Sequence, residues 1–224
     1  MYTQNKQAMS PEMIKTIDDA GVMAVLVIDD VKHAVPVAKA LLAGGVSAIE
    51  LTLRTPAAYE AAKVIKKEVP EMTLGFGTVI STEQVKAVVD LGADFAVAPG
   101  CNPKVIAEAV KLGLNFGPGI MTPTDIEMAI HEGCRILKLF PAETSGGLAH
   151  LESMVAPYQY LDLKFIPLGG CNITNARTYL ESPLITAIGG SWIAKRDMIQ
   201  QENWELITRN AREISSLISE IRNS

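Results

Sequence analysis

The apolar and polar positions along the chain repeat one unit. A short, β-branched apolar run leads into a turn, and an amphipathic segment follows that often closes on glycine. The runs are "VMAVLVI" from Val22, "AIELTL" from Ala48, "TLGFGTV" from Thr73, "FAVAPG" from Phe95, "NFGPGI" from Asn115, "RILKLF" from Arg135, "KFIPLGG" from Lys164 and "ITAIGGSW" from Ile185, eight in all. Strands buried on both faces read as near-continuous apolar runs of this kind. Between them, "HAVPVAKALLAGG" stops at Gly44 and Gly45. "STEQVKAVVDLG" opens on Ser81 and Glu83 and stops at Gly92, and "TPTDIEMAIHEG" opens on a cap-like Thr124 and stops at Gly133. These are helix start and stop signals. "SPEMIKTIDDAG" predicts one further helix ahead of the first strand.

Alternating buried strands and helices predict a parallel sheet covered by helices, an α/β fold. Eight units of about 25 residues within 224 residues fit a single (β/α)8 TIM barrel with an extra N-terminal helix. A doubly wound open sheet is the alternative. Neither a linker nor a low-complexity segment divides the chain, so one domain over 1–224 is expected, with 1–9 a flexible N-terminal segment.

Composition narrows the partners. The chain is 48% hydrophobic, with a mean hydropathy of +0.21. Its net charge of -5 is spread in mixed sign, which argues against nucleic acid, whose phosphates demand clustered Lys and Arg. No apolar run is long enough to cross a membrane, and the first residues lack the apolar core of a signal peptide. Cys101, Cys134 and Cys171 stand far apart with no CxxC pairing, which suits a reducing, cytoplasmic setting. His33, His131 and His150 have no metal-ligand spacing and read as surface or helix-end residues. No metal or cofactor is expected.

Against this apolar background three charges stand out: Glu50 and Arg54 in the second run, and Lys138 in the sixth. Strand side chains alternate faces, so Glu50, Thr52 and Arg54 share one face, and Ile136, Lys138 and Phe140 share another. A structural ion pair between Glu50 and Lys138, with Arg54 a solvated loop residue, would explain them blandly. Two strands carrying opposite charges at comparable depth favour chemistry, because isolated buried charges are costly. The last two runs end in Gly169–Gly170 and Gly189–Gly190. Glycine pairs after barrel strands seven and eight bring backbone N–H groups close to a phosphate, although a tight turn is the plainer explanation.

Burial disfavours an ammonium ion, and a neutral amine attacks a ketone to form a Schiff base. The iminium is an electron sink, so an adjacent C–C bond can break. Glu50 is the strand carboxylate placed to move protons, and Arg54 can hold an α-keto acid carboxylate in bidentate fashion. The constellation describes a metal-independent aldolase.

On the motifs "AIELTLRT" (48 to 55), "GFGTV" (75 to 79), "APG" (98 to 100), "LKLFPAE" (137 to 143) and "GGSW" (189 to 192), the chain resembles the bacterial 2-keto-3-deoxy-6-phosphogluconate (KDPG) / 2-keto-4-hydroxyglutarate (KHG) aldolase family over nearly its full length. The resemblance implies a class I aldolase in a (β/α)8 barrel, usually a homotrimer. It implies reversible cleavage of KDPG to pyruvate and glyceraldehyde 3-phosphate, with KHG, giving pyruvate and glyoxylate, as a further substrate. Carried over, Lys138 matches the Schiff-base lysine and Glu50 the general acid/base. Arg54 and Thr78 match residues around the pyruvate carboxylate, and Pro99 and Phe140 match the pocket walls. Gly169, Gly170, Gly190 and Ser191 match the phosphate end. The family often has Thr where this chain has Leu168, which bears on the aldehyde half. The alternatives are a pyruvate aldolase for another 2-keto-3-deoxy sugar acid, a phosphate-binding barrel isomerase, and a non-catalytic sugar-acid phosphate binder. Metal-dependent isomerases need His and Asp at strand ends, which this chain lacks, and a binder has no use for both Lys138 and Glu50.

Overall fold

The computed structural model describes residues 7–223. Each apolar run becomes a strand: β1 Val22–Leu26, β2 Ala48–Thr52, β3 Thr73–Gly77, β4 Phe95–Val97, β7 Ile136–Leu139, β8 Lys164–Pro167 and β9 Ile188–Gly190. The fifth run splits into β5 Phe116–Gly117 and β6 Gly119–Ile120. Proline has no N–H to give a ladder. Pro118 still accepts from the Lys138 N–H at 2.8 Å, so the chain stays beside β7 while it changes neighbours.

The helices are α1 Pro11–Ala20, α2 Ala34–Ala43, α3 Ala58–Glu68, α4 Thr82–Asp90, α5 Pro103–Lys111, α6 Pro123–His131, α7 Gly147–Val155, α8 Ile173–Leu180, α9 Arg196–Gln200 and α10 Trp204–Asn223. Ser81 caps α4 as expected, accepting from the Gln84 N–H. The cap of α6 is Thr122 rather than Thr124. Pro123 takes the first helical position, and Thr122 and Asp125 form a reciprocal capping box.

All strand pairs are parallel. They form two ladders, β5-β4-β3-β2-β1-β9 and β6-β7-β8, instead of one closed ladder of eight. The ladders part at Pro118 on one side. On the other, the chain ahead of β9 meets β8 through one bridge, Phe165 to Ile185, flanked by Phe165 N–H to Leu184 O at 2.8 Å and Thr186 N–H to Phe165 O at 3.1 Å.

Alternation along the strands divides the apolar residues into two layers. Val22, Ala24 and Leu26, Ile49 and Leu51, Leu74 and Phe76, and Leu137 and Leu139 pack outward among the helices. Met23, Ala48, Phe95, Val97, Ile136, Ile166, Leu168 and Ala187 meet one another on the inner side. Met9, ahead of α1, and Ile17 within it join this inner cluster, so the N-terminal segment packs against it. Of the segment expected to be flexible, residues 1–6 lie outside the described residues. Ala8 and Met9 are buried, and Ala8 O accepts from Phe116 N–H at 2.8 Å. Two apolar side chains with a sheet to dock on do not stay loose.

Several inner positions are glycine, and bulky neighbours use the space. A Cβ on Gly75 would lie 2.0 Å from Phe95, and one on Gly189 would lie 2.4 Å from Leu168. His33, expected at the surface or a helix end, stands at a helix end but away from the surface. It is buried at the start of α2, its Nε2 is 3.2 Å from Glu202, and its ring lies 5.9 Å from that of Trp204.

Candidate active site

Glu50 and Lys138 occupy matching depths on the inner face. Glu50 pairs in register with Gly75, and Lys138 lies between Gly119 and Ile166. The Lys138 amine donates to both carboxylate oxygens of Glu50, at 3.0 and 3.2 Å. Their side chains are only 5% and 2% exposed. The lysine that looked apolar in sequence therefore has a carboxylate as its immediate partner. A pair this dry costs desolvation that its mutual attraction only partly returns, so stability alone does not account for it.

The pair forms the base of a cavity of about 220 Å³. Arg54, Thr78, Pro99, Phe140, Gly169, Gly170, Gly190 and Ser191 all line it, so every sequence-predicted site residue converges on one space. Arg54 is exposed, two residues past the end of β2, and among the described residues its guanidinium forms no ion pair. Thr78 holds a left-handed backbone, φ 63°. For a β-branched residue that conformation is strained, and strain of this kind collects at functional sites. Phe140 stands at the rim, with the Lys138 amine 5.4 Å from its ring centre, within cation–π range.

The loops that carry these residues are tied together. Thr52 Oγ1 donates to Leu26 O at 2.8 Å and Thr55 Oγ1 to Ile28 O at 2.5 Å, joining the ends of β1 and β2. Arg196 grips Asp29 through two nitrogens, at 2.8 and 2.5 Å, and this guanidinium holds the Asp29 carboxyl below its ordinary range. After β7, Ala142 N–H donates to Leu168 O at 2.7 Å and Glu143 N–H to Gly169 O at 3.0 Å. The hydroxyl of buried Tyr179 on α8 donates to the Glu143 carboxylate. The loops after β7 and β8 are thereby locked side by side. Gly169 and Gly170 both sit at positive φ, 90° and 92°, which those turns require.

Sequence reasoning gave no site role to Val25, Thr52 and Cys171, which also line the cavity. Thr52 was within reach, two residues from Glu50 on the same face. Cys171 is a wall: burial pushes its thiol up to about 12, and it stays a neutral, poor nucleophile. Leu168 is 3% exposed, packs over Gly189, and touches the cavity from the inner layer.

The KDPG and KHG aldolase family model matches residues 13–210. The chain is 38% identical over 192 residues to the KHG/KDPG aldolase of Escherichia coli (strain K12), covering 86% of this chain and 89% of the relative. It is 41% identical to the 2-dehydro-3-deoxy-phosphogluconate aldolase of Pseudoalteromonas atlantica over 86% of this chain and 88% of that one. Among solved structures, KDPG aldolase from Legionella pneumophila, with pyruvate captured at low pH as a covalent carbinolamine intermediate, superposes with a TM-score of 0.85. It has 34% identity and covers 89% of this chain and 96% of that chain. The 2-keto-3-deoxy-6-phosphogluconate aldolase of Zymomonas mobilis ZM4 with 3-phosphoglycerate gives a TM-score of 0.82 at 37% identity, over 89% and 93% of the two chains. With the family matched over most of its length, and a buried lysine–carboxylate pair at the base of its cavity, the chain belongs to the KDPG and KHG aldolase family.

Proposed function

We propose that the protein is a class I aldolase that reversibly cleaves KDPG to pyruvate and glyceraldehyde 3-phosphate, and also KHG to pyruvate and glyoxylate. The observation that carries this reading is the buried Lys138–Glu50 pair at the base of the cavity. Lys138 Nζ attacks the C2 ketone and gives a carbinolamine, which loses water to form an iminium. The C4 hydroxyl then gives its proton to the Glu50 carboxylate and the C3–C4 bond breaks. Its electron pair moves to C3, forming an enamine, while C4 leaves as the aldehyde. Glu50, within 3.0 Å of the amine, carries protons for dehydration and for the final protonation of C3. Hydrolysis frees pyruvate and restores the lysine.

Arg54 and Thr78 hold the substrate carboxylate, and Pro99 and Phe140 are its walls. Backbone N–H groups around Gly169, Gly170, Gly190 and Ser191 take the phosphate of KDPG; in support, the Zymomonas relative was solved with a phosphorylated acid. The two ladders facing one inner layer, linked at Pro118 and at Phe165, support reading the fold as a single (β/α)8 barrel domain. Among the described residues no helix is long and apolar enough to cross a membrane, which supports a cytoplasmic enzyme. A homotrimer is the assembly in keeping with the family resemblance, and a single-chain mass by sedimentation would contradict it. The function itself is tested by supplying KDPG and KHG and measuring pyruvate release. The expected result is turnover of both. Release from neither would overturn the reading.

A further inference from the structure

We infer that Gly77 is the positioning residue for the proton-carrying carboxylate: a notch in β3 into which the Glu50 side chain fits, and which keeps its oxygens turned toward Lys138. This rests on the aldolase reading above. A Cβ built on Gly77 would lie 2.0 Å from Glu50 Oε1, 2.6 Å from its carboxyl carbon and 2.7 Å from its Cγ. Real Cβ contacts essentially never fall below 3.0 Å, so any side chain at 77 pushes the carboxylate away by about 1 Å or more. The Lys138 amine donates to this same Oε1 at 3.0 Å and to Oε2 at 3.2 Å. The oxygen that a Cβ on Gly77 would strike is therefore the one that sits nearest the nucleophile.

The effect is specific to position 77. Gly75, on the same face, makes room for the Phe95 ring, and Gly189 makes room for Leu168. Gly117 occupies an inner position too, but its Cβ would meet only Val97 at 3.4 Å and Ile136 O at 3.6 Å, which is ordinary contact. Gly77 does not sit at positive φ, so alanine is compatible with its backbone and the steric conflict with Glu50 is what decides. A displacement of about 1 Å at a reacting group costs on the order of 10²-fold.

The test is a double-mutant cycle between Gly77→Ala and Glu50→Ala, read by proton exchange at the pyruvate methyl group, borohydride trapping at Lys138 and thermal stability. Gly117→Ala is the control. The expected result is that Gly77→Ala still traps pyruvate on Lys138 but exchanges about 10²-fold more slowly. In the Glu50→Ala background the same change should cost twofold or less and no longer lower Tm, because the conflict has gone. Equal losses in both backgrounds, or wild-type exchange in Gly77→Ala, would overturn the proposal while the aldolase reading stands. If Gly77→Ala does not fold, recovery of the fold in the double variant supports the notch and continued failure sinks it. A wild type that neither traps nor exchanges overturns the aldolase reading and this proposal with it.

Discussion

Lys138 shows how one residue can expose a site. A lysine within a four-residue buried strand contradicts the apolar pattern around it, and alternation puts it on the face opposite Leu137 and Leu139. Glu50 follows by the same logic on β2. Both were legible because a charge in a run buried on both faces contradicts the local pattern. Gly77 was not, since a glycine in a strand looks like an absence until the register says whose side chain fills the space. Leu168 is intermediate. It packs with the inner layer yet touches the cavity beside Gly169. A hydroxyl there would add a hydrogen bond to a charged tail, worth roughly 1.5–3 kcal/mol. Leu168→Thr is expected to raise kcat/KM for KDPG relative to KHG by about tenfold or more, on a scale where tenfold is about 1.4 kcal/mol. A ratio unchanged within about twofold would make Leu168 purely a packing residue.

At the scale of the element, strands were read more accurately than caps. Strand identity rests on long apolar runs, whereas a cap depends on one backbone turn. In "TPTD" two threonines compete, and Pro123 decides by requiring the residue before it to be extended, as Thr122 is, with ψ 160°. Thr122 Oγ1 accepts from the Asp125 N–H, and Asp125 Oδ2 accepts from the Thr122 and Met121 N–H groups. Thr122→Ala should cost about 1 kcal/mol in urea unfolding, and exposed Thr124→Ala close to nothing. Neither should alter pyruvate release, since no residue of α6 lines the cavity. Equal costs at the two positions would contradict the capping assignment. The split of the fifth strand was also present in the sequence, as a proline in the middle of an apolar run. Only the hydrogen bond from Lys138 to Pro118 O reveals that the break keeps the chain beside β7.

For the whole molecule, the parallel α/β class was legible from the period of the pattern, and alternation made legible that β2 and β7 bring Glu50 and Lys138 together, while Thr78 and Pro99 came only with the family resemblance. The loop ties were not. Tyr179 to Glu143 and Arg196 to Asp29 join positions 36 and 167 residues apart, and nothing local announces either. The molecule also carries a directional response to alkali. Burial raises the thiols of Cys101 to about 11 and Cys171 to about 12 from an ordinary 9.0, and the Cys134 thiol and the Tyr179 phenol shift the same way. The folded chain therefore keeps protons that the unfolded chain releases. This contribution is fully present below about pH 9 and fades as pH rises through the folded values. Tm should fall as pH climbs above 9, and less steeply in a Cys134→Ala variant. An identical slope in the two would contradict the assignment for Cys134.

The central claim is that Lys138 is a nucleophile rather than half of a structural ion pair, and covalent trapping tests it most directly. Protein incubated with pyruvate and borohydride, then digested and examined by peptide mass spectrometry, should carry one reduced pyruvate adduct, on the peptide containing Lys138. Lys138→Arg should carry none. An adduct on another lysine, or no adduct on wild type, would contradict the account.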